Sequence, residues 1–369
     1  MKARSTWLAI SALLGCLPLG SCAHYRPLPL PPAPDLAQTP ALTAPAQSFL
    51  LPGLPAHLVP DGGLDELTVS TLAVFNNPDL KAARLEAGVA AAQLLSAWLL
   101  PDPELGIGVA TSALNYGGSL SLDQDIHAIL VRGAVKAGAR AAQQQVNLAI
   151  LWQEWQVAER ARELFIQSCA DDRLQPLLAQ AQALWADRYG RDRAGMQRNT
   201  VTALVVAGDL ANLADAQAGV RQLELDRSLA RHELNQVLGL DPEVELHLIA
   251  STPAAPMGQG EFDSAVAALP HRRVDLLALQ TGYESQEERV REAILSQFPA
   301  LSAGVEPALD AVEGVNSIGL NVHLTLPLFN RNRGAIAVQE ATRAVLRQKY
   351  QAQLDLAEGQ AAQAWHAAL

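Results

Sequence analysis

Residues 317–334 read SIGLNVHLTLPLFNRNRG. Ile318, Leu320, Val322, Leu324 and Leu326 alternate with Gly319, Asn321, His323 and Thr325. A period-two run of this kind predicts a strand with one apolar and one polar face. Pro327 has no backbone N–H to give to a ladder, so the strand should stop there. Asn330, Arg331, Asn332, Arg333 and Gly334 then make a turn, and an Ala- and Gln-rich helical pattern begins. Asn and Gly tolerate the left-handed backbone such a turn requires.

The start of this module has a counterpart upstream. At a constant offset of 196 residues, Asp79-Leu80 matches Asp275-Leu276, Ala82 matches Ala278 and Ala97 matches Ala293. At the same offset Pro103, Leu105 and Gly108 match Pro299, Leu301 and Gly304. Each copy reads as an Asp-Leu helix start, about five helical turns, then Pro-x-Leu opening a strand. After the first copy, ELGIGVATS and GGSLSLDQD flank a hairpin-like turn at Asn115-Tyr116-Gly117-Gly118. After the second, ALSAGVEPAL and SIGLNVHLTLPLF flank a longer acidic loop at residues 310–316. Two isolated hairpins are marginal in water, whereas closure with strands from other subunits removes every edge.

Between the hairpins, residues 126–189 and 196–238 have apolar positions at three- and four-residue spacing, such as Leu148, Leu151, Trp155 and Ala158. The break from Tyr189 through Gly190, Arg191 and Arg193 to Gly195 predicts the tip of a helical hairpin. Arms of about 45 to 60 residues would span roughly 70 to 90 Å. Being long and poor in bulky side chains, they suit a coiled-coil hairpin packed laterally against others, with a globular bundle as the alternative. Pro176 predicts a kink or a segment end in the first arm. Residues 335–369 begin a second outgoing arm without a returning one. Ile336, Val338, Ala341, Val345 and Leu346 thus have no following partner, and residues from about Gln348 onward are expected to fray or to associate promiscuously.

Bulk properties narrow the function. The chain has 369 residues, 49% apolar and 18% charged, so it is neither a disordered acidic chain nor a polytopic helical membrane protein. A net charge of −11 argues against a nucleic-acid partner. Lys2 and Arg4, an apolar run from residue 7 to 19 and small residues before Cys22 predict a secretory signal. Residues 23–63 are rich in Pro, Ala and Leu without a period, and read as an extended tether. Cys169 would be the lone remaining thiol and most simply a small packed hydrophobe. The eight histidines show no zinc spacing. With no nucleophile constellation or phosphate loop, the expectation is a non-enzyme without cofactor or metal site.

NPDLKAARLEA (77–87), LARHELNQVLGLDPEVEL (229–246), RRVDLLAL (272–279) and above all LPLFNRNRGAIAVQEA (326–341) resemble the TolC-like outer membrane efflux family. The last is particularly similar to the branch serving heavy-metal pumps of the resistance-nodulation-division type. Leu19-Gly20-Ser21-Cys22 resembles a bacterial lipobox, in which Cys22 takes the lipid, and Ala23 is compatible with outer-membrane sorting. The resemblance implies a mainly α fold with a small β component. Long helical hairpins would form a periplasmic α-barrel, and four transmembrane strands per protomer would join a trimeric twelve-stranded β-barrel. The implied organisation is a signal (1–21), a tether (22–63), a first repeat (64–250) and a second repeat with an incomplete hairpin (251–369).

By the same resemblance Asn321, His323 and Thr325 face the lumen, and Pro327 with residues 330–334 forms the strand-to-helix turn. Gly190, Arg191, Arg193 and Gly195 would form the periplasmic tip. The implied partners are outer-membrane lipid, a periplasmic adaptor, an inner-membrane pump and two further copies of the chain. The function implied is a passive exit duct lodged in the outer membrane, lipid-anchored and extending into the periplasm. The alternative is a periplasmic adaptor lipoprotein, which should instead split a lipoyl-like β domain around its hairpin.

Overall fold

The computed structural model describes residues 25–41, 63–111, 116–250, 257–310 and 315–368. The chain divides into two compact units, Met1–Leu36 and Ala37–Leu369. In the first, residues 25–36 form neither helix nor strand. The second carries all the regular structure among the described residues.

That unit opens with α1 (Glu66–Asn76) and α2 (Pro78–Trp98). Asp65 caps α1 by accepting from the Thr68 N–H at 2.8 Å. Pro78 cannot continue the α1 ladder, and Asn77 caps a new helix by accepting from the Leu80 N–H. Strands β1 (Glu104–Thr111) and β2 (Tyr116–Asp125) follow, then α3 (His127–Gln197) and α4 (Ala203–Val237). The same order recurs in α5 (Gln259–Arg272), α6 (Val274–Leu295), β3 (Ala300–Asp310), β4 (Val315–Thr325) and α7 (Arg333–Ala368). Leu80 and Leu276, matched by the repeat, are both fully buried near their helix starts.

The 71 residues of α3 make a helix roughly 105 Å long, longer than the spacing of breaks suggested. Pro176 neither ends nor divides it. The Arg227 guanidinium of α4 donates to both Asp172 and Gln175, holding the turn before the proline against the neighbouring helix. Tyr189 to Gly195 is not the turn either. Arg191 pairs with Asp187 across Gly190, and Arg188 reaches Asp209 on α4 at 2.9 Å, so the helix continues. A lone helical glycine costs about 1 kcal/mol, too little by itself to end a helix of this length.

Ala161, Leu164 and Phe165 of α3 meet Val69, Leu72, Ala73 and Phe75 of α1 and Ala230 and Leu234 of α4 in one buried cluster. Each Leu or Phe fully buried there contributes roughly 1.5–3 kcal/mol. The motif at 229–246 closes this cluster. Gly239 sits at φ 65°, and a Cβ there would lie 2.6 Å from the Asn76 carbonyl oxygen. Asn235, fully buried, donates to the carbonyls of Pro242 and Val244. Ala37 exchanges backbone bonds with Gly239 and Asp241, so residues 37–41, within the expected tether, begin the folded unit.

The last helix does not fray at Gln348. Tyr350 accepts from Gln280, Gln353 donates to Asp275, and Trp365 stacks on Phe262 of α5 with ring centroids 4.8 Å apart. The polar and aromatic partners that hold it lie on α5 and α6, upstream in sequence.

Candidate membrane sheet, its junctions and the helical tip

The strands form one antiparallel four-stranded sheet in the order β1-β2-β3-β4. Successive strands run in opposite directions. All four junctions with helices therefore lie at one end of the sheet, and both hairpin connections at the other. Tyr116 to Gly118 belong to β2 and not to a turn, because they pair with Thr111, Ala110 and Val109. The second connection is shorter than expected as well: Asp310 pairs with Val315, leaving residues 311–314, outside the described residues, to link them.

Register sorts the side chains onto two faces. Leu105 pairs with Leu122, Leu122 with Val305 and Val305 with Leu320, giving an unbroken apolar row across all four strands. On β4, Ile318 and Leu320 are 81% and 83% exposed, with Val322 and Leu324 also open to the surroundings. Exposure of that many large aliphatics on one sheet face is characteristic of an interaction or lipid surface. The opposite face carries Gly106, Gly108, Ser119, Ser121, Asp123, Asp125, Ser302, Gly304, Glu306, Gly319, Asn321, His323 and Thr325. Asp123, Asp125, Glu306, His323 and Glu104 give this face carboxylate and imidazole groups, and no described strand contains Lys or Arg.

Asn321 Nδ2 donates to Asp123 Oδ1 at 2.8 Å, although β3 lies between their strands. Gly304 makes this bridge possible. A Cβ on it would come within 2.5 Å of both the Asn321 side-chain oxygen and the Leu122 carbonyl, closer than carbon is tolerated. Sequence reasoning placed Asn321 on the polar face but missed the bridge. The repeat at Gly108 and Gly304 was the only signal for it. His323 and Thr325 lie on the same face, exposed.

At the strand-to-helix junction Pro327 follows the end of β4, as its chemistry requires. The left-handed residues are Arg331 (φ 46°) and Asn332 (φ 53°); Gly334, a candidate for that role, lies inside α7. Asn332 holds the turn by donating to the Ala293 carbonyl at 2.8 Å, while its own carbonyl accepts from the Ile336 N–H. Anchoring to α6 offsets the roughly 1–2 kcal/mol that a left-handed arginine costs. Arg331 and Arg333 are exposed. Around the same end of the sheet, Trp98, Leu99, Leu100, Ile129, Leu130, Phe298, Leu328 and Phe329 are exposed, so every junction contributes apolar or aromatic surface.

At the far end of the long hairpin the turn spans residues 198–202. The Gly195 carbonyl accepts from the Arg198 and Thr200 N–H groups, and Asn199 adopts φ 58°. A Cβ on Gly195 would lie 2.7 Å from Val201, so this glycine is a close-approach site. Gly190, Arg191 and Arg193 lie on the last helical turns of α3 leading to it. Asp209, buried on the α3–α4 seam, was not anticipated. The Asp192 carboxyl beside it and its burial push its pKa up, against the opposing pull of Arg188.

Cys22 lies outside the described residues. Cys169 packs against the main buried cluster, and that burial raises its thiol pKa. Among the described residues no cluster of three or more His, Cys, Asp or Glu could hold a metal ion. None of the described helices is long and apolar enough to cross a membrane.

No protein-family profile matches the chain, and no curated protein sequence matches it. Solved structures do. The outer-membrane channel OprN is 16% identical with a TM-score of 0.67, over 82% of this chain and 73% of that one. CusC, described for the conformational changes that accompany its folding and transmembrane channel formation, is 15% identical with a TM-score of 0.62 over 89% and 80%. The CmeC outer membrane channel of Campylobacter jejuni is 17% identical with a TM-score of 0.60 over 92% and 78%. The chain thus shares the fold of these channels: mainly helical, with long helical hairpins and a small antiparallel sheet.

Proposed function

We propose that this protein is the outer-membrane channel of a tripartite efflux system, a passive duct that carries out no chemistry of its own. The observation that carries the reading is the two-faced sheet. One face is aliphatic and exposed across all four strands, and the other is polar and acidic. Strands of 8 to 11 residues match the length of a tilted span, and a sheet exposing unpaired edges needs closure in a bilayer. Three copies would close a twelve-stranded barrel, with Asn321, His323 and Thr325 turned to water and Ile318, Leu320, Val322 and Leu324 to lipid. The likeness in fold to OprN, CusC and CmeC supports the same reading.

In this scheme residues 1–21 are a lipoprotein signal, Cys22 carries the anchor and residues 22–63 lead from it to the folded unit. Residues 64–250 and 251–369 are two repeats of one module. The tip at residues 190–202 meets a periplasmic adaptor, which couples the duct to an inner-membrane pump of the resistance-nodulation-division type. Carboxylates without compensating Lys or Arg on the polar face favour cationic substrates, and we assign heavy-metal cations as the cargo. A single four-stranded meander, built from two copies of a helix–hairpin module, disfavours the adaptor alternative, which needs a lipoyl-like domain around its hairpin.

The decisive experiment joins purification with planar bilayers. The full chain should run as a cross-linkable trimer and give steady conductance, and Cys22→Ser should abolish palmitate labelling in cells. A monomer that leaves bilayers silent would refute the channel.

A further inference from the structure

A basic cluster lies just beyond the sheet, at the start of α3. Arg132, Lys136 and Arg140 repeat every four residues on α3, so they line one stripe of that helix. All three converge on Trp98, the last residue of α2. The Lys136 Nζ sits 4.3 Å from the Trp98 ring centroid, and the Arg140 guanidinium carbon 5.8 Å from it. Arg132 donates to the Trp98 carbonyl at 2.8 Å. No carboxylate pairs with any of them among the described residues. The Lys136 ammonium is held below the ordinary lysine value, first by partial burial and then by the charges of Arg132 and Arg140. Two cations flank one aromatic ring and a third binds the carbonyl of the same residue, with no anion paired to any of them among the described residues.

Their position identifies what is missing. α3 begins at His127, directly after β2, so the backbones of Arg132, Lys136 and Arg140 lie about 8, 14 and 20 Å along the helix from the end of the sheet. A headgroup layer occupies roughly 5–8 Å beyond the hydrocarbon core. Helical side chains tilt toward the N-terminus of their helix, here toward the sheet, and long cationic side chains snorkel to the interface. Trp98, Leu99, Leu100, Ile129 and Leu130, all exposed, surround the stripe on its sheet side with the apolar and aromatic surface that sits at a bilayer boundary. We propose that Arg132, Lys136 and Arg140, gathered on Trp98, form a binding site for the phosphate of an anionic phospholipid in the periplasmic leaflet. The acyl chains of that lipid would lie against the apolar junction. This site rests on the reading of the sheet as membrane-spanning. It assigns the basic stripe to lipid and not to the tunnel.

Brominated lipids test it in the full-length protein reconstituted into phosphatidylcholine bilayers with and without phosphatidylglycerol. The probe is the part of the tryptophan fluorescence that disappears in Trp98→Phe. Brominated phosphatidylglycerol should quench that signal at several-fold lower mole fraction than brominated phosphatidylcholine, and added salt should erase the difference. Each cation near an anionic surface strengthens attachment about fivefold, so Arg132→Gln with Lys136→Gln and Arg140→Gln should bring the two lipids to parity. Arg132→Lys with Arg140→Lys should keep the preference, which separates lost charge from lost folding. Equal quenching by both lipids in a conducting wild-type channel overturns the site and leaves the channel standing. A shift of ion selectivity in the neutralised variant, with lipid preference intact, would move the stripe into the lumen and also overturn it. Failure to insert into either bilayer would refute the channel reading and the site together.

Discussion

Gly239 shows how a single residue can decide local structure. Its φ of 65° and its approach to the Asn76 carbonyl leave no room for a side chain, and its neighbours Leu238 and Leu240 complete the buried cluster. Gly239→Ala should therefore destabilise the protein by about 1–3 kcal/mol, read from chemical denaturation. Gly219→Ala is the control, since a Cβ on this helical glycine would meet open space, and it should be neutral or mildly stabilising. Gly304 makes the same kind of argument on the sheet. Its missing side chain lets Asn321 reach Asp123 across an intervening strand.

Single elements carry two further expectations. On β4 the faces alternate, so adjacent residues should respond oppositely to a charge. In the proposed barrel, Val322→Arg should cost about 2–4 kcal/mol of stability near mid-strand, whereas His323→Arg on the polar face should be close to neutral. Heat resistance of the proposed trimer on gels would read the difference, and equal losses would indicate a sheet that is not in lipid. Asn321 would be a poor polar-face control because it is tied to Asp123.

At the hairpin tip, Asp209 has a pKa raised above its ordinary 3.8, by the Asp192 carboxyl first and by burial second. The folded tip thus retains a proton that the unfolded chain releases. This contribution to stability is complete below the unfolded value and is lost as pH rises through the raised folded value. Amide exchange at residues 195–203 should therefore accelerate with pH beyond the intrinsic chemical trend. Asp209→Asn, permanently neutral, should remove that excess. An unchanged pH profile in the variant would assign the protection to other groups.

The assembled molecule tests the acidic face. Glu104 and Glu306 lie on the polar side of the sheet, where no Lys or Arg answers them, and three copies would triple the charge around one lumen. Reversal potentials under a salt gradient should show a preference for cations, and Glu104→Gln with Glu306→Gln should reduce it at unchanged trimer stability. Anion preference in the unmodified channel would contradict the proposed cargo.

Much of this was legible in the linear chain because its causes are local. Alternation from Ile318 to Leu324 reports which face of a strand is apolar. Pro327 forbids further pairing, and the recurrence of Asp-Leu and Pro-x-Leu at one offset reports a repeated module. Element ends and side-chain partners were decided elsewhere. Arg227 held the helix through Pro176, Arg191 and Arg188 carried it past Gly190, and Gln280, Asp275 and Phe262 kept α7 ordered. The Asp123–Asn321 bridge and the gathering of Arg132, Lys136 and Arg140 on Trp98 join residues far apart in sequence or on different helices. Periodicity and turn chemistry depend on neighbours within a few residues, so the chain alone determined the kinds of element and their faces. Where an element stops, and which charges are left without a partner, depends on what the fold brings alongside, and only the tertiary structure decided that.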